Sequence, residues 1–320
     1  MNSSHISEIE RFADALVMGA AMELYLTPKP GLVDLADCGS HPDLSLSRME
    51  RSLHYLAVYM EELLNSLVGG EDFARQVAIG RRTEKRMLAS LGSNTHKGYV
   101  FLSGLFLVAK WRSLSDYGQP IRDSIVSLAQ EFFGQQREIS TKGHRARERF
   151  GAGGIVREAL NGLPALFDAA LPAYLEAMKR HGCHSIASFA MMGRLMQRVE
   201  DTTSLHRCGT LGLARIRRDG RRLEELIEAG DDYLPFLESS NREYIRMNLT
   251  MGGMADMLGL SYAYLIASGA LSMESLSTLE RLSPVRSAAF MDQQPSQSGY
   301  IASIRNIKKI SCNDPDSGLL

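Results

Sequence analysis

Apolar residues recur at intervals of three and four along most of this chain, and no segment shows the strict alternation of a half-buried strand. Residues 6–26 are one example, with Ile9, Phe12, Leu16 and Leu24 on one face of a helix. Gly and Pro lie between the periodic segments, where helices end. The pattern predicts helices over 6–26, 44–67, 73–91, 99–111, 121–133, 163–178, 186–199, 211–217, 223–229, 233–249 and 255–267. The sequence therefore predicts an all-α fold, a compact single-domain multi-helix bundle.

The apolar periodicity fades from about Ser283 onwards, where Gln, Ser, Asn and Pro accumulate. We predict an all-α catalytic domain over 1–290 and a mobile or surface-draped C-terminal tail over 291–320. The net charge of −1 provides no overall field that would attract nucleic acid or an anionic membrane. No signal peptide and no membrane-spanning apolar run is evident. The four cysteines lack paired spacing, which favours reduced thiols in a cytoplasmic protein.

A glycine-bounded polar run, Gly-Ser-Asn-Thr-His-Lys-Gly over 92–98, leads directly into an apolar helical segment. A helix start presents unpaired backbone N–H groups and the positive end of the helix dipole, so it attracts anions. His96 and Lys97 would add a titratable group and a fixed charge at this point. An ordinary capped helix explains the run equally well. Because the Lys precedes the second Gly, the run is not a P-loop.

Three other segments place small or polar residues at a helix boundary: 27–31, 151–154 and 252–253. Residues 201–209 add one carboxylate, three hydroxyls, a His and an Arg within a single stretch, with Gly209 as a helix-ending residue. A salt-bridged surface turn is the structural alternative for this stretch. Together these junctions predict a polyanionic ligand held by several helix ends. A nucleoside triphosphate with Mg²⁺ fits, because Mg²⁺ needs one or two carboxylates besides phosphate oxygens. Candidate carboxylates are Asp34, Asp37, Asp43, Asp201 and Asp256.

The same segments resemble the triphosphoribosyl-dephospho-CoA synthases, which make the prosthetic-group precursor of citrate lyase and malonate decarboxylase. Residues 28–34 with 39–43 are similar to the opening motif of that family, and 94–98 resembles its central signature. Later blocks follow in order at 154–159, 201–209 and 252–256. The resemblance extends from about Glu23 to Leu265.

The resemblance implies an all-α enzyme that takes ATP and 3′-dephospho-CoA, joins the triphosphoribosyl group to a ribose hydroxyl and releases adenine. Displacement at an anomeric carbon passes through an oxocarbenium-like transition state. On this basis the substrate- and phosphate-binding residues are Lys29, Asn94, Thr95, Lys97, Arg207, Gly252 and Gly253. The predicted Mg²⁺ ligands are Asp34, Asp43, Asp201 and Asp256. The predicted catalytic residues are Glu158, His96 and Asp201, with Glu158 or His96 as the general base.

Five positions depart from the motifs of the family: Val156, Arg157, Thr203, Cys208 and Met251. They indicate a divergent subgroup that uses a different acceptor or donor. One alternative is therefore a related ribosyl-phosphate transferase acting on another cofactor precursor. A second is a non-catalytic protein that binds ATP or CoA metabolites, and a third is a structural helical scaffold. The sequence leaves the oligomeric state open.

Overall fold

The structure is a computed structural model that describes residues 3–93, 95–115, 119–134 and 142–271. In these residues the chain forms twelve α-helices and no strand, which confirms the predicted all-α fold. The helices are α1 (Ser3–Tyr25), α2 (Leu46–Val68), α3 (Phe73–Leu91), α4 (Lys97–Ser115), α5 (Ile121–Gly134), α6 (Lys142–Phe150), α7 (Gly154–Leu160), α8 (Leu171–His181), α9 (His184–Arg198), α10 (Thr202–Ala229), α11 (Leu234–Met247) and α12 (Gly252–Ala267). A π-helical segment, Ala165–Ala170, directly precedes α8.

Two helices, α6 and α7, lie where periodicity predicted none. α6 consists mostly of charged residues and therefore has no apolar stripe, and α7 is only seven residues long. Where two short helices were predicted over 211–217 and 223–229, the structure has the single long helix α10. Gly209 kinks this helix with φ 64° and ψ −161°, a conformation essentially restricted to glycine. The predicted helix break at Gly209 is therefore a kink, after which α10 continues.

α1, α4 and α12 form the centre of the domain. α1 and α12 make the most extensive helix pair, and α4 packs against both. A Cβ on Gly19 of α1 would overlap the carbonyl oxygen of Gly259 on α12, so the two backbones touch at this crossing. α4 and α12 are apolar on all sides and buried along most of their length, as expected of central helices. The site described below lies at the N-terminal ends of these two helices.

The loop over residues 26–45 is held against α11. The Gly31 N–H donates to Asn241 Oδ1 (2.9 Å), and the Asn241 amide donates to Asp37 Oδ2 (2.8 Å). Gly31 has a left-handed φ of 72°, and a Cβ there would overlap the Leu249 carbonyl oxygen. A larger residue at Gly31 would therefore lift the loop from α11.

The predicted tail over 291–320 lies outside the described residues. Cys38, Cys183 and Cys208 are free thiols, as expected. Among the helices of the described ranges, none is both long and apolar enough to cross a membrane.

Candidate active site

A cleft lies between α1, the 26–45 loop, α2, the first turn of α4 and α12. It joins three motifs that are far apart in the sequence. Its ionisable or polar wall residues are Glu23, His41, Thr95, His96, Tyr99 and Asp256. The structure therefore brings the predicted residues Thr95, His96 and Asp256 to one site, and Gly252 also lines it. Glu23 and His41 are additional wall residues that were not among the predicted site residues.

His96 presents an unpaired nitrogen at this cleft. The Ser52 hydroxyl donates to the Met49 carbonyl (2.8 Å), so it accepts from His96 Nδ1–H. The proton is thereby assigned to Nδ1, and Nε2 carries a lone pair. His96 is 5% exposed, and Nε2 has no hydrogen-bond partner in the described residues. Burial, with a smaller contribution from the Lys29 ammonium, lowers the pKa of His96 to about 4, so the ring is neutral at physiological pH.

Asp256 lies directly against the start of α4. A Cβ on Gly98 would overlap Asp256 Oδ2, so the carboxyl group occupies the space that any larger residue would need. Burial raises the pKa of Asp256 well above its usual range, and Glu23 and Asp201 add to this effect. A hydrogen bond with the backbone of Tyr99 acts in the opposite direction. The last residue of the 92–98 run is therefore a glycine because Asp256 packs on it.

We expect Gly98→Ala to lower the free energy of unfolding by about 1–3 kcal/mol, because the new methyl group must displace a buried carboxyl. Urea denaturation followed by circular dichroism measures this change. Gly134→Ala is the matched control, since a Cβ there meets nothing within 4 Å. Equal stabilities of the two variants would contradict the close packing of Asp256 on Gly98.

Lys29 and Glu23 form a buried ion pair beside the cleft. Lys29 is fully buried, and its ammonium contacts the Glu23 carbonyl oxygen and Glu23 Oε1, the latter at 2.5 Å. Burial raises the pKa of Glu23, against the attraction of Lys29. Lys29, predicted to bind phosphate, thus has its ammonium paired inside the protein in this structure. Glu23 was missed, although a charged residue three positions after Ala20 on an apolar helix face is a visible signal.

Asp201 caps two helices at once. Its Oδ1 accepts from the backbone N–H groups of Thr203 (2.9 Å) and Ser204 (2.8 Å) at the start of α10. Its Oδ2 accepts from the Met254 N–H (2.9 Å) at the start of α12. Burial raises the pKa of Asp201, whereas these N–H groups and that of Gly253 act to lower it. The anion at the N-terminus of α12, where Gly253 was predicted to bind phosphate, is therefore the protein's own carboxylate.

Arg207 lies at the edge of the cleft and is held by the 26–45 loop. Its Nη1 donates to the Ser40 carbonyl (2.6 Å) and to Asn248 Oδ1 (3.0 Å), and its Nη2 lies 3.4 Å from His41 Nδ1. His41 Nε2 is 2.8 Å from the Thr250 hydroxyl oxygen. Burial and the positive charge of Arg207 lower the pKa of His41 to about 4. Arg207 and His41 therefore form a positioned pair that carries one positive charge.

Several predicted residues lie away from the cleft. Glu158 on α7 is not a wall residue, and its Oε2 accepts from the Ala165 N–H (3.0 Å) at the π-helical segment. Burial, with the nearby Glu200 and Asp168 carboxylates, raises the pKa of Glu158. Lys97 is half exposed and lies towards α3, with its Nζ 3.7 Å from Glu84 Oε2. Asn94 lies outside the described residues.

The four predicted Mg²⁺ ligands do not form one cluster. Asp34 accepts from the backbone N–H groups of its own loop, beginning with Lys29 (2.8 Å). Asp43 is exposed and accepts from the Ser93 hydroxyl (3.0 Å). Within the described ranges no three His, Cys, Asp or Glu side chains are grouped so that they could hold a metal ion. Of the four, Asp256 lines the cleft and Asp201 lies behind it.

Comparison with known proteins identifies the family of this chain. Residues 9–273 match the family described as ATP:dephospho-CoA triphosphoribosyl transferase. The chain belongs to this family. It is similar to the 2-(5''-triphosphoribosyl)-3'-dephosphocoenzyme-A synthase of Klebsiella pneumoniae, with 30% identity covering 79% of this chain and 89% of the relative. A probable synthase of the same description from Salmonella typhi is 30% identical over 75% of this chain and 85% of the relative. No solved structure matches the chain.

The departures from the motifs of this triphosphoribosyl transferase family fall mostly outside the cleft wall. Met251 is fully buried in the core, where it precedes α12. The Cys208 thiol donates to the Met247 carbonyl (3.3 Å), and Arg157 pairs with Glu200 (2.9 Å). Thr203 lies next to the wall, since its hydroxyl oxygen would be 3.3 Å from a Cβ on Gly252. The Met251 side chain therefore lies in the core and does not line the cleft.

Proposed function

We propose that this protein transfers the 5-triphosphoribosyl group of ATP to a ribose hydroxyl of 3′-dephospho-CoA and releases adenine. Its family membership supports this activity over the alternatives of another ribosyl-phosphate transferase or a non-catalytic binding protein. The observation that carries the proposal is a cleft lined both by the neutral His96, whose Nε2 has no partner among the described residues, and by a buried carboxyl group, Asp256.

The reaction breaks the bond between C1′ of the ATP ribose and adenine, and it forms a bond between C1′ and the acceptor oxygen. The acceptor hydroxyl must lose a proton and the departing adenine must gain one. His96 Nε2 is suited to accept the first proton, because it is unprotonated and has no partner among the described residues. Asp256, whose raised pKa favours the protonated form, is suited to supply the second.

Arg207 is proposed to bind the triphosphate from the cleft edge, where the 26–45 loop fixes its orientation. Mg²⁺ is proposed to accompany ATP as part of the substrate and to be held mainly by phosphate oxygens. The lack of any three-ligand group in the described ranges favours this arrangement over a dedicated protein site. Asp201, which holds α10 and α12 together, is proposed to position Arg207 and Asp256 relative to each other.

A chromatographic assay for free adenine tests the proposal, with ATP and Mg²⁺ in the presence or absence of 3′-dephospho-CoA. We expect adenine to be released when both substrates are present, because the acceptor hydroxyl is the nucleophile. Release with a different ribose-containing acceptor, and none with 3′-dephospho-CoA, would favour the related transferase. ATP binding without adenine release under any acceptor would favour a binding protein.

A further inference from the structure

A second cavity lies between α2, α3, α4 and α5, and we call it the α3 cavity. Most of its wall is apolar, with Leu63, Val77, Val100 and Phe101 among the lining residues. Nothing in the reaction derived above uses it. Ligand sites in proteins are typically concave and mostly apolar, with a few polar groups that fix the orientation of the ligand.

The α3 cavity contains such polar groups. The Tyr59 hydroxyl lies between two wall glycines, since a Cβ on Gly80 would be 3.3 Å from it and one on Gly104 would overlap it. Glu84 is a further wall residue, and burial raises the pKa of its carboxyl group. The wall is thus mostly apolar, with a phenolic hydroxyl and a carboxyl group, and with Gln76 and Arg81 as its other polar residues. This combination suits a flexible aliphatic chain that carries amide groups.

The α3 cavity and the candidate active site share the first turn of α4. His96, immediately before this helix, lines the cleft, whereas Val100 and Phe101 line the α3 cavity. Since α4 rises about 1.5 Å per residue, Val100 lies about 6 Å from His96 along the helix axis. Lys97 lies between them, with its Nζ 3.7 Å from Glu84 Oε2 at the cavity wall and half of its side chain exposed. Lys97 thus places a cation between His96, which lines the cleft, and Val100, which lines the α3 cavity.

We propose that the α3 cavity binds the pantetheine arm of the acceptor, with Lys97 contacting the acceptor diphosphate. This inference rests on the proposed function. In 3′-dephospho-CoA the diphosphate joins the reacting nucleoside to an arm of methylene, dimethyl and amide groups that ends in a thiol. The acceptor's reacting ribose, diphosphate and pantetheine arm therefore follow the same order as His96, Lys97 and the α3 cavity in the protein. It also gives Lys97 a phosphate-binding role although it does not line the cleft.

Val77→Trp tests the inference by filling the cavity with an indole ring, and Val77→Met fills it partly in case the larger residue disturbs folding. Ala78→Trp is the matched control, because Ala78 is the next residue of α3 and is exposed. Titration calorimetry with pantetheine alone measures occupancy of the cavity without any catalysis. Adenine release from ATP is measured in parallel with two acceptors, 3′-dephospho-CoA and ADP. ADP has a ribose and a diphosphate but no pantetheine arm.

In Val77→Trp we expect pantetheine binding to be lost and the KM for 3′-dephospho-CoA to rise at least about tenfold, since one methylene group in a pocket is already worth about that factor. The KM for ATP, and the reaction with ADP, should not change. Val77→Met should show a smaller rise, and Ala78→Trp none. Unchanged pantetheine binding in folded Val77→Trp would overturn the site, whatever the activity. If no variant, including the unaltered protein, releases adenine, then the proposed function fails while the binding result still decides the site.

Discussion

Adenine release is expected to fall by about 10²–10⁴-fold in His96→Asn, the range that a positioned general base contributes. The asparagine amide can replace Nδ1–H as the donor to Ser52, so the helix start should remain intact. What it cannot supply is the lone pair of Nε2 in the cleft. The loss should therefore appear in kcat, with folding and ATP binding retained, and steady-state kinetics with circular dichroism measure both.

His54→Asn is the matched control for this variant, because His54 is an exposed residue of α2 and its replacement should leave the rate unchanged. The pH dependence provides an independent check. A pKa of about 4, below the usual 6.5, means that His96 stays unprotonated at neutral pH and loses its basic form only as the pH falls towards 4. A rate step near pH 6.5 that His96→Asn removes would contradict this assignment, as would full activity of the variant.

Asp201→Ala is expected to lower the free energy of unfolding by about 3 kcal/mol. One helix cap contributes about 0.5–2 kcal/mol, and this residue caps both α10 and α12. Removing the carboxylate also leaves buried N–H groups without an acceptor, which adds to the cost. Urea denaturation followed at 222 nm, a wavelength that reports roughly on helix content, measures the change.

Two further variants separate the double cap from an ordinary one. Asp72 is an exposed cap of α3 alone, and its Oδ1 accepts from the Arg75 N–H (2.8 Å). Asp72→Ala should lower the free energy of unfolding by about 1 kcal/mol. Asp201→Asn keeps one acceptor oxygen and should lie between the wild type and Asp201→Ala. If Asp201→Ala costs no more than Asp72→Ala, the coupling of the two helices through one side chain is wrong. We also expect adenine release to fall in Asp201→Ala, and full turnover would remove Asp201 from any role in positioning the site.

The sequence was sufficient for the apolar and the amphipathic helices and insufficient for the charged α6 and the short α7. α1 and α3 are predicted to within a few residues, whereas the charged α6 was missed, because its packing depends on tertiary contacts with α10. Motif similarity located Thr95, His96 and Asp256, which the fold then brings to one cleft.

The sequence could not show that acidic side chains of the chain itself lie at the helix starts that were predicted to bind a ligand. The acidic side chains at the starts of α4, α10 and α12 are Asp256, which is distant from α4 in sequence, and Asp201, which caps both α10 and α12. Glu158 shares the family motif but lies at the π-helical segment. Such long-range pairings depend on how the helices cross, which periodicity does not specify.

The packing of α1 on α12 also bears on how the protein is made. These helices lie at opposite ends of the described chain. At their crossing, Gly19 contacts the backbone of α12 and not that of a helix closer to it in sequence. During translation at about 5–20 residues per second, α1 therefore waits on the order of ten seconds or more for its partner. The part of α1 that packs on α12 is uncovered for that time, whereas its contacts with α2 and α4 involve helices that are made earlier.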